Sequence, residues 1–354
     1  MNLCIEQYGY HLIKVLGKGA SGVTYLAEDK RTQQQVLKDT APHIAIKCLS
    51  FRNLQSWQQI ELFEKEVAVL QQLNHPQIPR YLDYFEINTK RDRAFCLVQQ
   101  LAPGKSLAEW VKSGWRATEA EIKDIAIQLL SILSYLYLQQ PPIVHRDIKP
   151  ENIIRDSEGK IYLVDFGAVR QAYFTTMTGG NTVAGTFGYI APEQFYGKAI
   201  PQSDLYSLGA TILYLLTHTC PTEFTTDGLK IKFQDKVNIS DRLYNWLEKM
   251  LEPEAEQRFS SADNALAALK GKRDFHSNQK NKSRLKNISF LILFVTCLLF
   301  LNSKKWGILN SFGILPRNIC KPSVMTKYLQ QGGDPNAIRS TYDSYKPIYQ
   351  YCSR

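Results

Sequence analysis

Cysteine is sparse in this 354-residue chain: seven residues, scattered, with no CxxC pair and no histidine cluster at zinc-ligand spacing. Those absences exclude a metal finger and a dense disulfide framework. Cys4, Cys48, Cys96 and Cys220 read as free thiols of a reducing compartment, whereas Cys320 and Cys352 lie beyond a late apolar stretch. The N-terminus lacks a basic region followed by an apolar run, so no cleaved signal peptide is expected. Excess charge is missing from most of the chain as well. The net charge is +10, but residues 270–286 and 302–354 each carry +6, leaving −2 for residues 1–269. A near-neutral main segment removes the principal argument for nucleic-acid binding. With 44% apolar and 21% charged residues, the chain reads as globular and long enough to bury a sizeable core.

The first hundred residues alternate β-rich runs with turns. Tyr10–Leu16, Val23–Ala27, Ile44–Leu49 and Ala94–Gln99 read as strands. Between them, Ile60–Leu73 spaces Phe63, Val67 and Leu70 as one face of a helix. Beyond Leu107 the pattern turns helical, with Thr118–Leu138 the longest periodic segment and others at Ser203–Leu216, Ser240–Leu251 and Ser261–Leu269. Thr118 followed by Glu121 has the form of a capping box. The order predicts an α+β chain: a small β-rich lobe, then a larger helical one.

Three strings carry chemistry. Gly17-Lys18-Gly19-Ala20-Ser21-Gly22 lies between two predicted strands, where glycines let backbone N–H groups approach phosphate oxygens. A dinucleotide site would instead lead from strand into helix, and an ordinary hairpin turn is the other reading. Ile44-Ala45-Ile46-Lys47 places a lysine in an apolar strand. A buried ammonium needs a carboxylate. Of Glu61, Glu64 and Glu66 on the following helix, only Glu66 borders the apolar face. His145-Arg146-Asp147-Ile148-Lys149-Pro150-Glu151-Asn152 is the strongest signal, joined thirteen residues later by Asp165-Phe166-Gly167. Phosphoryl transfer needs a carboxylate for the incoming hydroxyl and oxygen ligands for magnesium. Asp147 suits the first task, Asn152 and Asp165 the second, and Lys149 can neutralise charge on a transferring phosphate.

In this order, over residues 10–269, the strings resemble the eukaryotic-type serine/threonine protein kinase family. Ala191-Pro192-Glu193, Asp204 in its helical run, and Arg258 as the partner of Glu193 extend the resemblance. It implies the bilobal protein-kinase fold over residues 8–270, with ATP between a β-rich N-lobe and a helical C-lobe, Mg2+ as the metal, and proteins, including the chain itself, as acceptors. The nucleotide contacts it implies are Leu16, residues 17–22, Thr24, Ala45, Lys47, Glu66, Gln100, Ala102 and Ile154. Thr24 stands where the family commonly has valine, and Gln99 falls at the gatekeeper position. Lys149 after Asp147, together with Thr186, resembles the serine/threonine pattern. Arg146 beside Asp147 implies control by a phosphate on the segment 165–193, with Thr182 the first candidate site and Thr178 the second. The Gly22–Ala27 run and the single late apolar stretch suggest a bacterial, cyanobacterial member. A catalytically silent kinase-fold scaffold and a small-molecule phosphotransferase are the alternatives.

Residues 271–287 read as a basic linker. Ile288–Leu301 is uncharged and apolar but only 14 residues long, short of the ~20 that a spanning helix typically needs. Snorkelling of Lys286 and Lys304 extends it to a single transmembrane helix over residues 288–304, with an interfacial or core helix as the other reading. Six Lys/Arg in residues 272–286 against three in 302–317 place the kinase side in the cytoplasm. In the tail, residues 305–354, Tyr328–Ala337 looks like the helix end and turn of an ankyrin repeat. Cys320 and Cys352 could close a loop there if the tail is outside. A small docking module and a poorly ordered tail are both open readings.

Overall fold

The computed structural model describes residues 5–19, 22–31, 43–54, 57–89, 92–171 and 186–271. Alternating side chains build the first half. Strands β1 (Tyr10–Gly19), β2 (Gly22–Asp29), β3 (His43–Ser50), β4 (Tyr81–Asn88) and β5 (Arg93–Gln100) form one antiparallel sheet in the order β1-β2-β3-β5-β4. The strands read from sequence are all present, and β4 is added to them. Only Phe85 and Ile87 of this strand are buried, and exposed Leu82 blurs the alternation that would mark it.

Because the pleat has a period of two, β3 sends Ile44, Ile46 and Cys48 to one face and Ala45, Lys47 and Leu49 to the other. The first face packs with Ile5, Tyr10, Phe85, Cys96 and Val98 into a small core. The second meets helix α1 (Gln58–Gln72), whose Phe63, Val67 and Leu70 join Leu49, Phe95 and Leu97. Alternation along one strand thus decides that Lys47 points toward a helix rather than into the outer core.

The C-lobe begins at the β6 bridge strand (Lys105–Ser106) and helix α2 (Leu107–Lys112), opened by a capping box between Ser106 and Glu109. Helix α3 (Glu119–Tyr137) starts at Thr118, whose hydroxyl accepts from Glu121 N while the Glu121 carboxylate takes the Thr118 N–H. The short strands β7 (Ile143–Val144), β8 (Ile153–Arg155), β9 (Ile161–Leu163) and β10 (Arg170–Gln171) frame the segment with the charged strings His145–Asn152 and Asp165–Gly167. β8 sits between β6 and β9, and β10 pairs with β7. Helix α4 (Pro201–Thr217) is buried on almost every side. Its Gly209 leaves room for Met250 and Leu251, against which a Cβ would collide. A two-stranded ribbon, β11 (Thr226–Asp227) and β12 (Lys230–Ile231), precedes α5 (Asp241–Met250) and α6 (Ala262–Leu269). Trp246 on α5 is fully buried and donates its indole N–H to Ala265 O on α6 at 2.9 Å.

Among the described residues no helix is long and apolar enough to cross a membrane. The stretch Ile288–Leu301, the linker and the tail lie outside the described residues, as do Ala20, Ser21, Thr178 and Thr182.

Candidate active site

Lys47 is 4% exposed and Glu66 1%, so neither charge is solvated by water. They satisfy one another: Lys47 Nζ donates to Glu66 Oε1 and Oε2 at 2.9 and 2.7 Å, and to Asp165 Oδ1 at 2.7 Å. Glu61 and Glu64, the other acids of α1, are exposed. Burial by itself would lower the Lys47 ammonium, but the Asp165 and Glu66 carboxylates outweigh it and hold the lysine above its ordinary range. Burial likewise works to raise Asp165, and the Lys47 ammonium overrides it and holds that carboxyl down at about 2. Burial pushes the Glu66 carboxyl up, opposed by the Lys47 ammonium, while the Asp165 carboxylate is held ionised and its side chain remains 36% exposed. The group is therefore suited to accept one more cation through oxygen.

Gly167 closes this cluster from below. A Cβ there would press to 3.2 Å from both Asp165 Oδ1 and Glu66 Oε2. Asp165 itself holds φ 63°, a left-handed conformation that costs a non-glycine residue free energy and persists where surrounding contacts enforce it. Phe166 is buried, with its ring edge-on to His145 at 4.8 Å between centroids.

A second cluster centres on Asp147. Lys149 Nζ lies 2.7 Å from Asp147 Oδ2 and donates to Thr186 Oγ1 at 2.6 Å, while Thr186 Oγ1 donates to Asp147 Oδ1 at 3.0 Å. Asn152 Nδ2 donates to the Asp147 carbonyl at 2.8 Å and to its Oδ2 at 3.0 Å. With its amide protons committed to Asp147, the side-chain oxygen of Asn152 is the end left to face another ligand.

The loop bearing Asp147 is held from beneath. Asp204 on α4 accepts His145 N and Arg146 N, both at 2.8 Å. Burial pushes the Asp204 carboxyl up to about 7, opposed by those two backbone donors. Arg146 adopts φ 71° and its carbonyl accepts from the buried Gln194 Nε2 at 3.4 Å. Glu193 and Arg258 form a two-pronged pair, 2.7 and 2.8 Å, in which Arg258 also donates to the carbonyls of Glu252, Gln202 and Pro253. Ser203 Oγ adds a 2.7 Å bond to Glu193.

The glycine loop divides by function. Gly22 has φ 121° and a Cβ on it would strike the Cys48 carbonyl, so chain geometry demands glycine there. Gly17 and Gly19 differ: a Cβ on either would meet no atom within 4 Å. Protein packing does not explain those two glycines, and the backbone beside them is open to a ligand. Thr24 stands opposite Lys47 across β2 and β3, and Ala45 opposite Gln99 across β3 and β5. Leu16 is 45% exposed, at the irregularity between Val15 and Gly17 within β1. Gln100 ends β5 with its N–H given to Arg80 O at 2.9 Å, Ala102 follows in irregular backbone, and Ile154 lies on β8.

Gln194, Ser203 and Gly167 were not singled out from sequence. Gln194 and Ser203 act on residues outside any local string, whereas Gly167, the third member of its string, also meets Glu66 from across the chain.

A model described as protein kinase domain matches residues 10–269. The chain is 38% identical over 275 residues to serine/threonine-protein kinase PknA of Nostoc sp., covering 73% of this chain and 46% of that one. It is equally similar to serine/threonine-protein kinase D of Synechocystis sp., covering 73% and 51%. Serine/threonine-protein kinase PrkC of Bacillus subtilis is 33% identical over 213 residues, covering 60% and 31%. The chain thus spans about half the length of the cyanobacterial relatives it matches. With the paired ion clusters at the junction of a five-stranded sheet and a helical lobe, these matches establish that the chain belongs to the protein kinase family.

Proposed function

We propose that this chain transfers the γ-phosphoryl group of magnesium-bound ATP to serine and threonine hydroxyls of proteins, itself among them. The observation that carries the reading is the Asp147 carboxylate, gripped at one oxygen by Thr186 and at the other by Lys149 and Asn152. A carboxylate fixed in this way can receive the proton of an acceptor hydroxyl. When bound, Mg-ATP supplies the phosphoryl group and the positive charge that offsets it. Asp165 and Asn152 supply hard oxygen donors suited to magnesium. Lys47, braced by Glu66, orients phosphate oxygens, and the open backbone at Gly17 and Gly19 lets N–H groups approach them. Thr24, Ala45 and Ile154 would flank the base of the nucleotide, with Leu16, Gln100 and Ala102 beside it. Lys149, held against Asp147 and Thr186, would neutralise charge on the phosphoryl group. Thr186, in contact with both Asp147 and Lys149, makes Ser/Thr acceptors the favoured class, in keeping with the printed names of the relatives.

Arg146, with Thr182 and Thr178 in the segment before Thr186, forms the regulatory part of the reading: phosphate on that segment pairs with the arginine. The 14-residue apolar run between Lys286 and Lys304 anchors the chain in the cell membrane as a single span with the kinase domain in the cytoplasm.

Incubating the full chain with γ-labelled ATP, magnesium and a protein acceptor tests the central reading. Label should appear on acceptor Ser/Thr and on residues 172–185. Asp147→Asn should reduce transfer by about 10²–10⁴-fold, and Lys47→Ala should weaken nucleotide use. Retained transfer in Asp147→Asn overturns the assignment, and the absence of label from 172–185 removes the regulatory part alone.

A further inference from the structure

Two of the described cysteines face each other. Cys48 on β3 and Cys96 on β5 are direct partners in the antiparallel ladder. Facing residues in such a ladder have Cα atoms ~4.5–5.5 Å apart, inside the ~4.4–6.8 Å that a disulfide spans. Both side chains lie on the sheet face away from α1, 2% and 0% exposed, and one thiol hydrogen-bonds the other.

We propose that Cys48 and Cys96 are a covalent modification site, converted to an intramolecular disulfide by hydrogen peroxide. One sulfur attacks the peroxide, the O–O bond breaks, and a sulfenic acid and water form. The second sulfur then attacks the first, the S–S bond forms, and the sulfenic oxygen leaves as a second water. The two thiols lose two protons and two electrons, and the peroxide takes them up.

The cover over this pair sets when the reaction runs. Ile5 is fully buried in the same small core, and Tyr8 stacks on Phe85 at 4.2 Å while its hydroxyl donates to Glu86 O. The hydrogen bond to Cys48, followed by burial, pushes the Cys96 thiol up, so the closed pair stays a dithiol. Oxidant reaches it when the terminal turn ahead of β1 opens, and the neighbouring thiol then captures the sulfenic acid before further oxidation. The product staples β3, one residue from Lys47, to β5, and closes a loop that contains α1 and Glu66. This chemistry is independent of phosphoryl transfer.

Tryptic mapping of the full chain, treated with hydrogen peroxide and alkylated after denaturation, reads the outcome. The expected product links Cys48–Arg52 to Ala94–Lys105, two hydrogens lighter than the separate peptides and parted by dithiothreitol. In Cys96→Ala the link should vanish and Cys48 should be trapped as a sulfenic acid by dimedone. Recovery of both wild-type cysteines as alkylated thiols overturns the proposal. So does their recovery as separate sulfinic acids, or a link from either one to Cys4 or Cys220.

Discussion

Thr186 shows how one hydroxyl can organise two charges. It donates to Asp147 Oδ1 while accepting from Lys149, so it fixes the carboxylate and ammonium in register. Thr186→Val should lower kcat by about 10–100-fold, the cost of misplacing a reacting group, with little change in the KM for ATP. Thr186→Ser should recover most of the loss in the same steady-state assay. Asp165 titrates by its partner. Its carboxyl is held near 2 in the folded protein against 3.8 ordinarily, so the Lys47 pairing contributes stability that is full above about 4 and fades as pH falls through 2. The stability difference between wild type and Asp165→Asn should therefore shrink between pH 5 and about 2, read from urea midpoints at each pH. At this scale His145–Asn152 was legible because its partners lie within eight residues of one another. Gln194 and Ser203 were not, because their value is set by Arg146 and Glu193, brought near only by the fold.

At the scale of elements, the Glu193–Arg258 pair ties the segment after Thr186 to the loop before α6. The Arg258 side chain is fully buried, and burial that would raise Glu193 is overcome by the guanidinium. Removing one partner strands the other charge without water. Arg258→Met should cost about 3–5 kcal/mol, measured by equilibrium denaturation of the full chain. The helix bounds were mostly readable: the Thr118 cap is a local signal, and α3 starts at the next residue. The ribbon β11–β12 left no signal, since two-residue strands carry no periodicity.

For the whole molecule, the described lobes are joined by Lys47 of the sheet and Asp165 of the helical half, 118 positions apart in sequence. The proposed anchor is tested on the native chain: membranes washed with alkaline carbonate should retain it, and release to the supernatant defeats that part of the proposal. Spacing along the chain was enough to read the β-rich lobe before the helical one, the helix start at Thr118 and the pairing of Lys47 with Glu66 over Glu61 and Glu64. Each of these rests on spacing within a strand, a helix turn or a short loop. Folding in three dimensions is what makes Asp204 carry the His145–Arg146 backbone, leaves Gly17 and Gly19 open while the φ of Gly22 demands glycine, and brings Cys48 to Cys96. Those relations depend on strand register and helix burial, which bring together residues whose separation along the chain gives no local signal.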